Sequence, residues 1–470
     1  MNLNTRRATR AEPLWPWLIV LPLLVGITYL AVVDHLAAIG VLVVLVAVMA
    51  IWRNPPVAVL FYVVPLLVGE QALAVLLSQD QGNTLQKAAL IAVTILCALL
   101  AGVRKPPAAV FLVIGTYLVF LVVSLLFNLK APQSISSFLT STAGYLIPGL
   151  IFFVNWRRVS VKLDMRAITL VPIATLLFSV VLDAAGIIPL FTAGTFDMSR
   201  LGGTLPPAYL GAAGAFGAIA SFWLWLNRAK GAFLTLIIGV LVAAASATRG
   251  PVVVMFFVIL CMLLFTRRLH SKMAGLIRIV ILGALTAGAG QIAPVLIERT
   301  TDQDQYHGGG LSGRNLAWDY FWSRFLEEPW LGHGPGANAL LSQESSVQLV
   351  RQYFIAPHNT YLQLLVDFGI VGAILIGLGI VLVFVSVARR LTERRDKVLV
   401  VSLGLAMLFY AFFDNVLAAP QIYIPMALIL ASLSAHGKAA GAEAETEPGE
   451  PETAGQDQEG LRKEPALAVS

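Results

Sequence analysis

The segment APHNTYLQLLVDFGIVGAILIGLGIVL, residues 356–382, opens on His358 and Asn359. It then runs into an apolar stretch long enough to cross a bilayer, for which about 20 residues suffice. A side chain that titrates near neutral pH therefore stands at the mouth of a membrane span. Its meaning depends on which side that mouth faces and on what else opens there.

The rest of the chain is of the same kind. Of 470 residues, 58% are hydrophobic and 12% charged, with a mean hydropathy of +0.82. A soluble domain carries about 25% charged residues, so this chain cannot cover a water-facing surface. Repeated apolar runs of span length predict an all-α, polytopic transmembrane helical bundle of about 12–14 spans. Candidate limits are 15–33, 35–52, 57–78, 87–103, 107–128, 138–155, 167–190, 207–226, 230–247, 251–266, 274–296, 360–388, 397–416 and 420–436. The start, MNLNTRRATR before WPWLIVLPLLVGITYL, reads as a retained signal anchor, because no small-residue cleavage site follows it. Cys97 and Cys261 fall inside apolar runs and read as packing residues. No nucleic-acid partner is expected of such a chain.

Four regions follow: an N-terminal transmembrane bundle (1–296), a large loop containing an amphipathic helix (297–359), C-terminal transmembrane helices (360–436) and a tail (437–470). From His436 onward the sequence carries eight acidic and three basic residues with abundant Pro, Gly and Ala, and is expected to be a disordered, cytoplasmic acidic tail. The basic surplus belongs to the membrane body. With the N-terminus inside, the N-terminal tail and the loops RNPP, RKPP, NWRRVSVKLDMR, NRAK, TRRLHSK and ARRLTERRDK hold 20 Lys or Arg. The short loops of the opposite side hold four: Lys87, Lys130, Arg200 and Arg249. This positive-inside bias predicts both termini in the cytoplasm and the long loop outside. His358 then opens to the extracytoplasmic face.

Three arginines share that face: Arg200 in TFDMSRLGGTLPPAYLG, Arg249 in AAASATRGPVVV and Arg314 in GGGLSGRNLAWDYFW. Guanidiniums gathered at a low-dielectric rim repel one another unless an anion lies between them, and their planar fork fits phosphate. A lipid diphosphate or an anionic headgroup is the expected ligand. Each residue also has an ordinary reading. Arg249 can snorkel to the interface, Arg200 can pair with Asp197, Arg314 can pair with Asp319, and His358 can cap the following span. In the loop, the run from Arg314 to Leu326 predicts an amphipathic helix. Trp318, Phe321, Trp322, Phe325 and Trp330 lie either at the headgroup level or in the core of a small capping subdomain. GHGPG at 332–336 is a tight bend and a weak phosphate-nest signal. His307, His333 and His358 match no zinc spacing, so no metal is expected.

In this order (ATRG, SGRNLAW, PWLGHGPG, then HNTYLQLLVDFGIVG) the residues resemble the O-antigen ligase and Wzy-type polymerase superfamily of polytopic glycosyltransferases. The motifs cover roughly residues 180–385. RLGGTLPP lacks the Asn that often follows its proline in that family, and ATRG has Thr248 where Ser is common. The resemblance implies transfer of a glycan from an undecaprenyl-diphosphate carrier to a sugar hydroxyl, at the outer face of the bacterial inner membrane, without metal or cofactor. It implies Arg249 and Arg314, with Arg200 as a third, on the diphosphate. It implies His358 as general base on the acceptor, with Asn359 and Tyr361 beside it in the substrate site. The implied partners are the lipid-linked glycan, a glycan or lipid-linked acceptor, the bilayer, and polysaccharide chain-length or export proteins.

Polymerisation of a cell-surface polysaccharide is the first reading, and ligation of the finished glycan to lipid A core or protein the alternative. A transporter or flippase is a third, with Glu70, Asp183, Asp367 and Asp414 as its ionisable residues. It lacks the paired repeats that many transporters show.

Overall fold

The computed structural model describes residues 55–67, 69–75, 79–127, 135–193, 199–266, 314–354 and 356–437. The expected spans at 15–33, 35–52 and 274–296, loop residues 297–313 and the tail from 438 lie outside the described residues. What is described is almost entirely helical, and the chain is a polytopic helical membrane protein.

A 3₁₀ segment, Pro55–Tyr62, leads into the short helices α1 (Val63–Leu67) and α2 (Glu70–Ala74). A single span was expected over 57–78. The chain breaks instead, because the loop 203–205 passes through the gap: a Cβ on Gly69 would lie 2.5 Å from the Thr204 carbonyl oxygen. Long helices follow: α3 (Gln79–Ala101), α4 (Ala108–Leu126), α5 (Ile135–Ile151) and α6 (Val161–Ala184). Pro107 stands immediately before α4, where its missing N–H costs nothing, and the Ser160 hydroxyl caps α6 by accepting from the Leu163 N–H. A small hairpin, β1 (Phe191–Ala193) with β2 (Ser199–Leu201), then sets Thr192 opposite Arg200.

Helix α7 (Pro207–Leu226) is buried almost all round and forms the axis of the bundle. Its run of Gly and Ala lets neighbours approach to backbone contact. Added Cβ atoms on Gly214 and on Gly239 of α8 (Ala232–Ala245) would each lie within 3.0 Å of the other helix's backbone. Small residues drive such contacts because lipid tails offer no hydrophobic gain for helix pairing. Helix α9 (Arg249–Phe265) also packs against this axis. Leu234, Ile237 and Leu241 of α8, and Val119, Val122 and Leu125 of α4, are exposed. An apolar surface of this extent is stable only against lipid.

After the long loop, α10 (Arg314–Glu327), α11 (Ala337–Gln343) and α12 (Gln348–Tyr353) build a small subdomain. Its core joins Phe321, Phe325, Leu341 and Val350 to Leu362 and Val366 of the next span. The aromatic stripe of α10 thus divides: Phe321 and Phe325 face this core, while Trp322, Leu326 and Trp330 are exposed. Helices α13 (Thr360–Arg390), α14 (Arg394–Ala411) and α15 (Pro420–His436) complete the bundle.

Helix α13 is broken at Gly369, with φ 61° and ψ −170°. The loop 329–334 lies in the break. Ile370 N–H donates to the Pro329 carbonyl at 2.8 Å, His333 N–H to Val366 O at 2.8 Å and Gly334 N–H to Asp367 O at 3.0 Å. Groups freed by the break thus find partners inside the protein, as a helix interrupted within a membrane requires. The Asp367 carboxylate accepts from the backbone and side-chain N–H of Asn338, at 3.3 and 2.6 Å. The GHGPG bend thus packs its amides against the carbonyls of the break, and Asn338 just beyond it holds the Asp367 carboxylate.

The described bundle has two chemically distinct ends. At one, the loops after α3 and α5 are joined by Arg104 N–H to Phe153 O at 2.7 Å and Asn155 N–H to Gly102 O at 2.9 Å. The Arg104 guanidinium there reaches Ser434 O at 3.1 Å, and Trp223 Nε1 donates to Asp396 at 2.7 Å. The loops RKPP, NWRR and ARRLTERRDK thus gather on this basic end. The other end receives Arg200, Arg249, Arg314 and His358.

Gly369→Ala tests the broken helix. An added Cβ would lie 2.3 Å from the Trp330 carbonyl carbon in a left-handed conformation, and at Gly377 it meets nothing within 4 Å. Thermal unfolding in detergent should show Gly369→Ala destabilised by about 3 kcal/mol or more. Gly377→Ala should be neutral or slightly stabilised.

Candidate active site

The turn between α14 and α15, Phe412 to Asn415, collects the candidate residues. Asp414 is its hub. One carboxylate oxygen lies 3.2 Å from His358 Nδ1 and accepts the Asn415 N–H at 2.8 Å; the other accepts the Tyr410 hydroxyl at 2.7 Å. The backbone is held as firmly. Thr360 Oγ1 donates to Asp414 O at 2.7 Å and accepts the Val416 N–H at 2.9 Å, tying the start of α13 to this turn. Arg314 Nη1 donates to Phe413 O at 2.8 Å, so the first residue of α10 reaches the same turn. Trp318 Nε1 donates to Pro357 O at 2.8 Å and its ring meets Phe412 edge-on, fixing α10 above the His358 segment.

His358 has a backbone φ of 49°, in the left-handed region that costs a non-glycine residue roughly 1–2 kcal/mol. Ala247, two residues before Arg249, has φ 52°. Strain of this kind persists where surrounding contacts over-determine it. Asp414 accepts at Nδ1, so that nitrogen carries the proton and the lone pair resides on Nε2. The side chain is 37% exposed, and Nε2 has no protein partner among the described residues. A base with this tautomer and access can take a proton from a bound hydroxyl.

Arg249 is the first residue of α9, at the positive end of the helix dipole. Its neighbour Gly250 lies against the Tyr410 ring, where an added Cβ would come within 2.1 Å of a ring carbon. Arg249 is thereby one residue from the contact that links α9 to the Tyr410–Asp414–His358 chain. Arg200 reaches the turn before it, donating from Nε to Ser246 O at 3.2 Å and from Nη2 to Thr248 Oγ1 at 3.1 Å. It braces the segment that presents Arg249. Its alternative partner Asp197 lies outside the described residues. Arg314 bonds the Phe413 carbonyl rather than Asp319.

Two other candidates have structural duties. Asn359 is buried and caps α13, accepting the Leu362 N–H at 3.1 Å, so the capping reading entertained for His358 belongs to its neighbour. Tyr361 donates its hydroxyl to Leu408 O at 2.8 Å. Its ring lines a cavity of about 720 Å³ between α4, α5, α13, α14 and α15. This slot extends from Thr360 and Tyr361 to Arg389 and Lys397 at the basic end. His333 is buried and bonds Arg324 O at 2.7 Å; His307 lies outside the described residues. Among the described residues no three His, Cys, Asp or Glu gather as metal ligands.

With this geometry in view, comparison with protein families gives a match of residues 234–377 to the model described as O-antigen ligase. Over those residues the chain is similar to the O-antigen ligase family. Comparison with curated proteins returns no match. The O-antigen ligase region contains Arg249, Arg314 and His358. Arg200 precedes it, and Tyr410 and Asp414 follow it. Asp414 entered the sequence reading only among ionisable residues of a transport route. The available signal was the i, i+4 spacing of Tyr410 and Asp414 at the end of a span, which sets both on one helical face.

Asp414 also carries a pH signature. Burial works against its ionisation, but the hydrogen bond and charge of His358, the Tyr410 hydroxyl and the charge of Arg314 outweigh it and hold the carboxyl below its ordinary value. A depressed folded-state value means stabilisation that is present above the unfolded value and lost as pH falls through the folded one. His358→Ala removes the leading favourable contributions. Its acid-unfolding midpoint, followed by near-UV circular dichroism in detergent, should shift to higher pH than that of the parent; an unchanged midpoint would mean the pair does not form.

Proposed function

We propose that the protein is a membrane glycosyltransferase that transfers a glycan from an undecaprenyl-diphosphate donor to a sugar hydroxyl, polymerising a cell-surface polysaccharide at the extracytoplasmic face of a bacterial inner membrane. The observation that carries this reading is the junction at residues 412–415. A histidine with a free Nε2 and an arginine from the outer loop meet there, one contact away from the start of α9 and Arg249. The excess of basic residues at the opposite end supports the orientation.

In this reading the donor diphosphate lies between Arg249 and Arg314. A guanidinium in the first turn of α9 adds to the positive end of the helix dipole, and an anion relieves both. Arg200 acts through the Ser246–Thr248 turn, as a positioning residue. The acceptor hydroxyl attacks the anomeric carbon while His358 Nε2 takes its proton. The anomeric C–O bond breaks, and its electron pair passes to the diphosphate. Fixed arginines stabilise that developing charge more than the ground state. Asp414 orients the imidazole and stabilises the imidazolium formed. Attack opposite the leaving group inverts the anomeric centre. The donor's prenyl chain occupies the outer half of the slot beside Tyr361.

The description of the matched family favours a second reading, in which the same donor site ligates a finished glycan to lipid A core or protein. One experiment tests the activity and separates the two. Loss of an arginine donor should lower the rate about 10²–10³-fold, and loss of the base about 10²–10⁴-fold. Arg249→Ala, Arg314→Ala and His358→Ala cells are compared at equal protein level for glycan ladders and lipid-linked intermediates. Single repeat units mean polymerase; long chains left on the prenyl carrier mean ligase. Unaltered glycans in all three variants would remove the glycosyltransferase reading.

A further inference from the structure

The slot beside the candidate site has a second end that the proposed reaction does not use. It follows α13 from Tyr361 to Arg389, about 40 Å of helix at 1.5 Å per residue. A prenyl chain anchored by an outer diphosphate accounts for the outer half. The inner half is lined by Phe152, Ile380, Phe384 and Leu430 and ends on two cations, Arg389 and Lys397. Neither side chain forms a hydrogen bond or ion pair with another described residue, and Glu393 in the intervening turn stays exposed. Arg394 and Arg395 follow directly, of which Arg395 pairs with Asp396.

Beside this end the positive charge deepens. Burial first, and then the charges of Arg157 and Arg390, press the Arg104 guanidinium below its usual value. Arg104 is satisfied by a carbonyl, Ser434 O, rather than by a carboxylate. Phe152, in the slot wall, precedes the Val154–Asn155 segment that leads to Arg157. The apolar lining thus ends on Arg389 and Lys397, at the end of the bundle that also carries Arg104, Arg157 and Arg390. Water can hydrate the charges, whereas an apolar slot stays dry and suits an apolar ligand such as a hydrocarbon chain.

We propose that the inner half of this slot is a binding site for an anionic phospholipid of the leaflet at the basic end, with an acyl chain between α5, α13 and α14 and its phosphate between Arg389 and Lys397. The complementarity is double: apolar walls for the chain, and cations at its end that favour an anionic headgroup over a zwitterionic one. The lipid closes the seam between α13 and α14 from the side opposite the donor. This goes beyond the glycosyl-transfer reading, since it concerns the other leaflet.

The test needs no donor or acceptor, so its failure is separable from failure of that reading. The full-length chain in detergent is mixed with phosphatidylglycerol or phosphatidylethanolamine of matched chains, and bound lipid is counted by native mass spectrometry. The parent should retain phosphatidylglycerol preferentially, and Arg389→Gln with Lys397→Gln should lower that retention roughly tenfold. Gly377→Leu fills the slot without touching the cations, since a Cβ there meets nothing within 4 Å. It should lower retention with the charges intact. Equal retention of the two lipids, or a double charge variant that binds like the parent, overturns the proposal. A Gly377→Leu protein that keeps full retention overturns the slot as the chain's location. Each variant is compared at the same monodisperse elution as the parent, so loss of fold is not read as loss of lipid.

Discussion

The carboxylate of Asp414 is shared by an imidazole from residue 358 and by a phenol and a backbone amide from its own 410–415 segment. Hydrogen bonds of this kind hold best where water is scarce, because an unpaired partner there has no alternative. The polar ends of α13 and α14 are therefore forced together at one point. Thr360 and Arg314 bond the backbone of the same turn, so the subdomain of α10 to α12 is seated on the span it precedes. The bundle supplies the rigidity behind this point. Close backbone contact between α7 and α8 leaves no slack in the turn that presents Arg249.

Seen as chemistry, the arrangement separates two tasks. Positive charge arrives on α9 and α10, from sites far apart in sequence, while the imidazole arrives on the loop before α13. In the proposed reading each is braced by a neighbour: Arg200 holds the turn before Arg249, Asp414 bonds His358, and Trp318 bonds the segment that carries His358. Bracing matters because misplacement of a reacting group by 1 Å can cost about 10²-fold in rate.

Much of the bundle was legible because lipid imposes one rule on every span. Runs at 207–226 and 420–436 appear as Pro207–Leu226 and Pro420–His436, with the proline that opens each helix already marking its boundary. The break in 57–78 was not legible, since it is set by the 203–205 loop, more than a hundred residues away. The kink in α13 was hidden for the same reason: Gly369 reads as one more glycine in an apolar helix until loop 329–334 is laid against it. At the site, arginines stood out against the positive-inside bias, and the histidine against its apolar surroundings. Asp414 did not stand out, because an acid at the end of a span looks like any interfacial residue. Only folding discloses its partner. The aromatic stripe of α10 read as a single face, but folding divides it: Phe321 and Phe325 pack inward while Trp322 and Trp330 are exposed.

The interlock at Gly369 has a consequence for how such a protein can change. Residues 329–334 and 366–371 exchange main-chain hydrogen bonds, so neither stretch has a complete set of partners without the other. A loop segment grafted from a relative would have to carry its matching portion of the following span, or leave amides without partners. Diversification of the α10–α12 subdomain is thereby coupled to inheritance of the helix that follows it, and the two should travel as a single exchangeable cassette.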